Sequence, residues 1–295
     1  MRDYAIITDS CSDLPTEIRA DLGVDYARMN VVYDGKEYYA DIDWKLYSPT
    51  EYFNIMRKGT RITTTQVPTE EYVRIFEKYL NEGKDIIYIG CSSALSGSVN
   101  TACVVAKEMM EKYPEGKVVC VDSLRSCYGL GILVIKAAEL KLGGMSLDEL
   151  SDWLENNKLT ANQLGAVDTL DYLKRAGRVK ASAAFFGNVF GVKPIIISDA
   201  HGNNYAAKKA KGRKGSFTEI VNMMKETIVD PENQTVYVAH ADCLEDAKFL
   251  AEEIKKAVNC KDVYIGYIGP IIGASTGPGT VAAYYFGKEV TIVGE

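Results

Sequence analysis

The sequence predicts two consecutive α/β domains, the first on a mainly parallel sheet with a small antiparallel flap, the second on a mixed sheet. Three observations carry this. Short apolar, β-branched runs at 5–8, 86–89 and 117–122 alternate with amphipathic helical stretches through the first half, the pattern of buried parallel strands. An Asp34-Gly35 pair interrupts the alternating stretch 29–43, a strong two-residue hairpin signal. In the second half a Gly202-Asn203 turn separates two strand-like runs, which puts an antiparallel pair into a sheet whose other strands alternate with helices. A chain of 295 residues can build two such cores. The boundary is expected near Lys158, giving domains 1–158 and 159–295, with the flap at about 26–45.

Strand 5–8 ends in Asp9-Ser10-Cys11-Ser12-Asp13-Leu14-Pro15, polar residues where open α/β sheets place ligands. Ser12 or Asp13 also suits the cap of a helix over 15–22. After the flap comes Arg61-Ile62-Thr63-Thr64-Thr65-Gln66-Val67-Pro68. Pro68 biases Val67 to extended geometry, and threonine favours strands, so these residues are either a plain edge strand or a set of hydroxyls facing a ligand. Thr69 opens a helix whose Tyr72, Ile75, Phe76, Tyr79 and Leu80 form one apolar stripe. Residues 129–140 are apolar nearly all round, as in a core helix, and Ser146 with Glu149 makes a capping box. The second half reads strand 165–168, helices 170–176 and 181–190, strand 194–198, strand 205–209, helix 217–228, strand 235–239, helix 244–258 and strand 262–268. Between Gly269 and Thr280 four glycines and two prolines set a fixed irregular path into a helix expected at 281–286.

The stretch richest in chemistry joins strand 86–89 to the following helix. Cys91-Ser92-Ser93-Ala94-Leu95-Ser96-Gly97-Ser98 is a hydroxyl-rich turn before Ala102, Val105, Ala106 and Met109 at helical spacing. The first N–H groups of a helix have no internal partner and carry partial positive charge, so hydroxyls beside them make an anion site. The loop holds no Lys or Arg, unlike a phosphate-binding P-loop. Such a charge-poor cradle suits one carboxylate; it also suits an ordinary helix cap.

Composition narrows the class further. Hydrophobic residues make 47% and charged residues 25% of the chain, a soluble globular balance. A net charge of −6 argues against nucleic acid as the main partner. No apolar run spans a bilayer, and the opening MRDYAIITDS has no signal-peptide form. Seven cysteines without a CxxC pair fit reduced thiols in a cytoplasm, not a disulfide framework or zinc site. With two histidines, His201 and His240, no metal is expected. Gly131-Ile132 does not complete a GxGxxG, so no dinucleotide cofactor is expected either. Lys208, Lys209, Lys211, Arg213 and Lys214 form a basic run, either a solvated hairpin or a docking patch for a partner subunit or, transiently, a membrane surface.

Taken in order, IITDSCSDLP, TTTQVPTEEY, CSSALSGSVNTA, VDSLRSCYGLG, DTLDYLKRAGRV, KPIIISDAHGNN and GPIIGASTGPGT resemble the DegV family of bacterial fatty-acid-binding proteins, which includes the FakB subunits of fatty-acid kinase. The resemblance runs from residue 6 to residue 280. It implies a non-catalytic carrier that holds one fatty acid between its two domains and presents the carboxylate to a partner kinase supplying ATP and metal. The implied carboxylate ligands are Thr64 and Ser93, with Thr63, Thr65, Ser92 and Ser96 as further hydroxyls of the same two segments. Ser275 stands where the family often has histidine; it can still donate a hydrogen bond but cannot carry charge. Val67 is an insertion before Pro68 relative to the family's TSQP-type segment. The tail is expected in an apolar tunnel lined by Phe185, Phe186, Val189, Phe190, Ile271 and Ile272, and Arg178, Lys211 and Arg213 are expected on the partner surface. The competing reading is an acyl hydrolase or acyltransferase using Ser93 or Cys91, although G-x-S-x-G is absent and neither histidine sits in a motif that suggests a base.

Overall fold

The computed structural model describes residues 2–182, 185 and 191–294. In the first domain β1 (Tyr4–Asp9), β2 (Val24–Ala27), β6 (Asp85–Gly90) and β7 (Val118–Asp122) form one parallel sheet in the order β2-β1-β6-β7. Ile6 pairs with both Val24 and Ile87. Helices α1 (Thr16–Leu22), α3 (Thr69–Asn81), α4 (Ser98–Lys112) and α6 (Leu147–Asn157) flank it. The expected stripe of α3 is inward: Tyr72, Ile75, Phe76 and Leu80 are buried. The flap is β3 (Asn30–Tyr33) and β4 (Lys36–Tyr39), and α2 (Pro49–Arg57) follows it. Asp34 and Gly35 at its turn both have positive φ, 50° and 70°, as a type I′ hairpin requires. The threonine run adds β5 (Thr63–Thr65) to β3, making a three-stranded antiparallel sheet.

The second sheet is mixed, in the order β10-β9-β8-β13-β11-β12, and among the described residues only its β11–β12 strand pair is parallel. Its strands are β8 (Ala161–Ala166), β9 (Val192–Ser198), β10 (Asn204–Lys211), β11 (Thr235–His240), β12 (Asp262–Tyr267) and β13 (Val281–Phe286). Helices α7 (Asp171–Ala176), α8 (Gly212–Thr227), α9 (Leu244–Ala257) and α10 (Pro270–Thr276) complete the domain. The expected helix at 281–286 is therefore a strand, inserted between β8 and β11. A short apolar run has no period that separates a buried strand from a buried helix, and here pairing on both sides decides. The strand expected at 165–168 lies at Ala161–Ala166, and α8 starts at Gly212 rather than at Phe217. The irregular path after Gly269 contains α10. Most of the expected helix 181–190 falls outside the described residues.

Alternation along this sheet separates two faces. Leu164, Ala166, Ile195, Ile197, Ala283 and Tyr285 enter the core that contains Phe217 and Ile220 of α8 and Leu250 and Ile254 of α9. Gln163, Gly165, Ile196, Ala282 and Tyr284 point the other way, into an interdomain cavity. Helix α5 (Tyr128–Leu142), apolar nearly all round, touches β1 and β6 on one side and β8 and β13 on the other. Beside it the fully buried Arg125 spans the two halves. Its Nε donates to Ala161 O at 2.5 Å, Nη2 to Leu159 O at 3.1 Å and Nη1 to Leu124 O at 2.7 Å. Burial lowers its pKa to about 10 despite the nearby Asp199.

Candidate functional site

Three segments expected to carry hydroxyls meet at the seam between the domains. Thr64 is the middle residue of β5 and pairs with Val31, so its side chain points opposite to those of Thr63 and Thr65. Its hydroxyl has no partner among the described residues, whereas Thr65 Oγ1 donates to Glu37 Oε1 at 3.0 Å and Thr63 Oγ1 reaches Val32 O at 3.5 Å. Gln66 lies over the start of α4: its Nε2 donates to Thr101 Oγ1 at 3.1 Å, and its carbonyl end packs on Gly97. Ser96 and Ser98 share a hydrogen bond of 2.9 Å. The cap of α4 is Gly97, which offers no side-chain acceptor to the first N–H groups. Across the seam, Ser275 lies near the end of α10, half-buried, its hydroxyl also without a protein partner among the described residues.

These residues surround a cavity of about 210 Å³. Thr64, Thr65, Gln66, Ser96, Gly97 and Ser275 form one part of its wall. Much of the rest is apolar or soft: Met29, Val167, Leu173, Ile196, Ile268, Ile271, Ile272 and Ala282, with Tyr284 and the thiols of Cys11, Cys91 and Cys127. Gly165 and Ala282 keep the sheet face low; a Cβ on Gly165 would stand 3.3 Å from the Ala282 methyl. Arg178 is the sole charged side chain of the wall among the described residues.

The expected site residues divide accordingly. Thr64, Thr65, Ser96, Ser275, Ile271 and Ile272 are brought together at the cavity, and Thr63 faces a second pocket beside it. Ser93 is not: it is exposed, absent from the wall, and its backbone N–H donates to Asp122 Oδ1 at 3.1 Å. The serine of this loop that reaches the cavity is Ser96, because the tight turn after Ser92 rotates Ser93 outward; both Leu95 N–H and Ser96 N–H donate to Ser92 O. Ser92 is structural, donating from Oγ to Gly202 O at 2.8 Å. Phe185 is half-buried against the cluster of Val167, Leu173 and Ile196 rather than in the wall, with Lys209 Nζ 5.0 Å over its ring. Phe186, Val189 and Phe190 lie outside the described residues.

Of the three cations expected on the partner surface, Arg178 is exposed and lines the cavity as well. Arg213 is drawn inward, its Nε on Asp246 at 2.9 Å and its Nη2 on Gly279 O at 2.5 Å, so that it clips the glycine-rich loop. Lys211 is exposed at the start of α8. The lining by Cys11, Met29, Cys127, Gln163 and Tyr284 was not read from the sequence; Gln163 and Tyr284 come side by side only once β8 and β13 pair, and the other three reach the cavity from distant segments of the first domain.

Nucleophilic chemistry finds little support in this wall. Cys11, hydrogen-bonded to the free thiol of Cys91 and buried, is held well above the usual thiol range. Burial does the same to Cys127. The hydrogen bond from Cys11 favours the Cys91 thiolate, but burial and the nearby acidic groups, Asp9 first, outweigh it and the pKa is raised. His240 is turned elsewhere: its Nδ1 accepts from Cys243 N–H at 3.3 Å, it packs on Tyr267, and burial lowers its pKa.

Fold and site together define a two-domain α/β protein with an interdomain pocket of mixed apolar and polar lining, hydroxyl-bearing on one side. The chain belongs to the DegV family: a family model described as an uncharacterised protein of the DegV family matches residues 3–288. A DegV domain-containing protein of Clostridium perfringens is 39% identical over 287 residues, covering 97% of this chain and 98% of that one. Among solved structures, a DegV family protein from Thermus thermophilus described for its fatty acid binding superposes with a TM-score of 0.88 at 29% identity, over 97% of this chain and all of that one. DegV from Bacillus subtilis, described as a fatty acid binding protein, gives 0.82 at 28% identity over 98% of this chain. No helix among the described residues is long and apolar enough to cross a membrane.

Proposed function

We propose that this protein binds a long-chain fatty acid non-covalently in the interdomain cavity and carries it without transforming it. The observation that carries the reading is the pair of hydroxyls without a partner among the described residues, Thr64 and Ser275, standing beside Ser96 in the wall of a mixed cavity whose apolar side includes Met29, Val167, Leu173, Ile196, Ile271 and Ile272. A carboxylate there accepts hydrogen bonds from Thr64, Ser96 and Ser275, with the N-terminus of α4 adding its positive end. Arg178 supplies the one full charge. Each buried methylene of the tail contributes roughly 0.8 kcal/mol, so the chain provides most of the affinity. The head group needs satisfied donors more than strong ones. The fatty-acid binding described for the Thermus and Bacillus relatives supports the same ligand class.

The carrier reading extends to a partner: the bound acid is presented to a separate fatty-acid kinase, which supplies nucleotide and metal. What supports it is the family resemblance and the position of the hydroxyls at the seam, next to a second, arginine-rich pocket. The test of the ligand is mass spectrometry of organic extracts from the purified protein. A co-purifying saturated or unsaturated C14–C20 acid (the family expectation) is the predicted result; an empty protein that also fails to bind palmitate in titration removes the proposal.

A further inference from the structure

Two hydrogen-bonded pairs of free thiols stand in opposite surroundings. Cys11 and Cys91 line the interdomain cavity and are 2% and 1% exposed. Cys103 and Cys120 are absent from that wall. Cys103 lies on α4, and Cys120 lies on β7, the edge strand of the parallel sheet, against which α4 packs. Helix and strand come from separate segments, so only the packing of α4 on β7 brings these two thiols within hydrogen-bond reach. Both are partly exposed. Val104 beside Cys103, and Lys107 one helical turn further on, are exposed as well, so small solutes reach the pair from solvent. Cys260 is also partly exposed, but burial raises its thiol.

A cysteine attacks as its thiolate, and a reactive one needs both access and a setting that favours the anion. Cys103 has both. The hydrogen bond from Cys120 and the positive charge of Lys107 favour its thiolate; burial and Asp122 oppose them, and the balance lowers its pKa to about 7. The same hydrogen bond, together with burial, raises Cys120. One sulfur is thus set to attack, and the other stands beside it to resolve the product. We propose that Cys103 and Cys120 form a peroxide-sensitive modification site that closes into a reversible disulfide between α4 and β7. In the first step the Cys103 thiolate attacks one oxygen of hydrogen peroxide. The O–O bond breaks, hydroxide leaves and takes up a proton as water, and Cys103 becomes a sulfenic acid. In the second step the Cys120 sulfur, giving up its proton, attacks the Cys103 sulfur. The S–O bond breaks and the departing hydroxide takes that proton as a second water. Two thiols are oxidised and one peroxide is reduced. The bond fastens to the sheet the helix whose start carries Ser96, Gly97 and Ser98, and whose Thr101 is clamped by Gln66. None of this rests on the fatty-acid reading.

The test is exposure of the reduced full chain to a modest excess of hydrogen peroxide near neutral pH, followed by intact mass and a peptide map without reduction. Wild type is expected to lose two hydrogen atoms, to yield a peptide joining Cys103 to Cys120, and to regain both thiols with dithiothreitol. Cys11, Cys91 and Cys260 keep their thiols at the same dose, since burial shields the first two and all three are raised. In Cys120→Ala the sulfenic acid on Cys103 persists and is trapped by dimedone. In Cys103→Ala the thiol of Cys120 survives the dose. Should either variant fail to fold, the wild-type map decides by itself. Wild type that stays fully reduced, that gains oxygen on Cys103 without a cross-link, or that joins Cys11 to Cys91 before Cys103 to Cys120 overturns the proposal.

Discussion

The Val67 N–H donates to Ser98 Oγ at 3.2 Å, joining the threonine strand to the serine loop across 31 residues of sequence. Ser98 Oγ in turn pairs with Ser96 Oγ, and Gln66 clamps Thr101 one turn further along α4. Val67 itself is fully buried. The residue that looks like an insertion in this segment is therefore the anchor that fixes β5 against the start of α4. Thr64 and Ser96 owe their common wall to it.

Thr64→Ala combined with Ser96→Ala is expected to weaken palmitate binding about tenfold or more, since each removes a donor to a charged acceptor. Ser275→Ala should act in the same direction. Ser93→Ala, on the exposed side of the loop, should leave affinity unchanged. Fluorescence displacement titration of the four proteins checks this; a loss confined to Ser93→Ala would reverse the assignment.

Filling the low sheet face should act on the tail alone. Gly165→Val places methyl groups against Ala282, where a first carbon already stands at 3.3 Å. Affinity for a C18 acid should fall more than affinity for a C10 acid, because each methylene denied burial forfeits roughly 0.8 kcal/mol. A chain-length series by calorimetry shows whether the slope changes.

Arg125 tests the joint between the domains. Arg125→Met keeps the apolar stem and removes the five N–H donors of the guanidinium, leaving the buried carbonyls of Leu159 and Ala161 without that partner. A loss of about 3 kcal/mol is expected from such an uncompensated change, read as a lower urea midpoint. An equally stable variant would mean that α5 packing alone holds the halves together.

The Glu71 carboxyl should make stability fall in acid. Burial pushes its pKa up, but hydrogen bonds from Arg74 and Arg28 outweigh this and hold it at about 2, against 4.5 for an ordinary glutamate. Its folded pKa is depressed, so the contribution is complete above about pH 4.5 and is lost as pH falls toward 2. Glu71→Gln should cost about 2 kcal/mol at pH 7 and flatten the profile between pH 5 and 2. Urea melts of both proteins across that range provide the comparison.

The elements with a strong local signal are present as the sequence implied. Asp34-Gly35 makes its hairpin because both positions accept positive φ at low cost. The α3 stripe and the Ser146–Glu149 capping box are local patterns that tertiary contacts do not override. Residues 281–286 misled for the opposite reason: Val-Ala-Ala-Tyr-Tyr-Phe is apolar on every side, so neither period is visible, and only its neighbours β8 and β11 make it a strand. Ser93 against Ser96 was undecidable by similar logic, since hydroxyls three residues apart in a turn differ in direction, not in chemistry.

By itself the sequence determined two α/β units, the hydroxyl-rich character of the segments at their seam, and the absence of a phosphate-loop lysine between strand and helix. These follow from residue type and short-range spacing. Only the tertiary structure decided which hydroxyls face the cavity, that Arg178 joins them, and that Arg61 and Arg175 converge beside it. Those relations depend on strand register and on how two domains meet, and contacts between residues more than a hundred positions apart leave no period in a single chain to read.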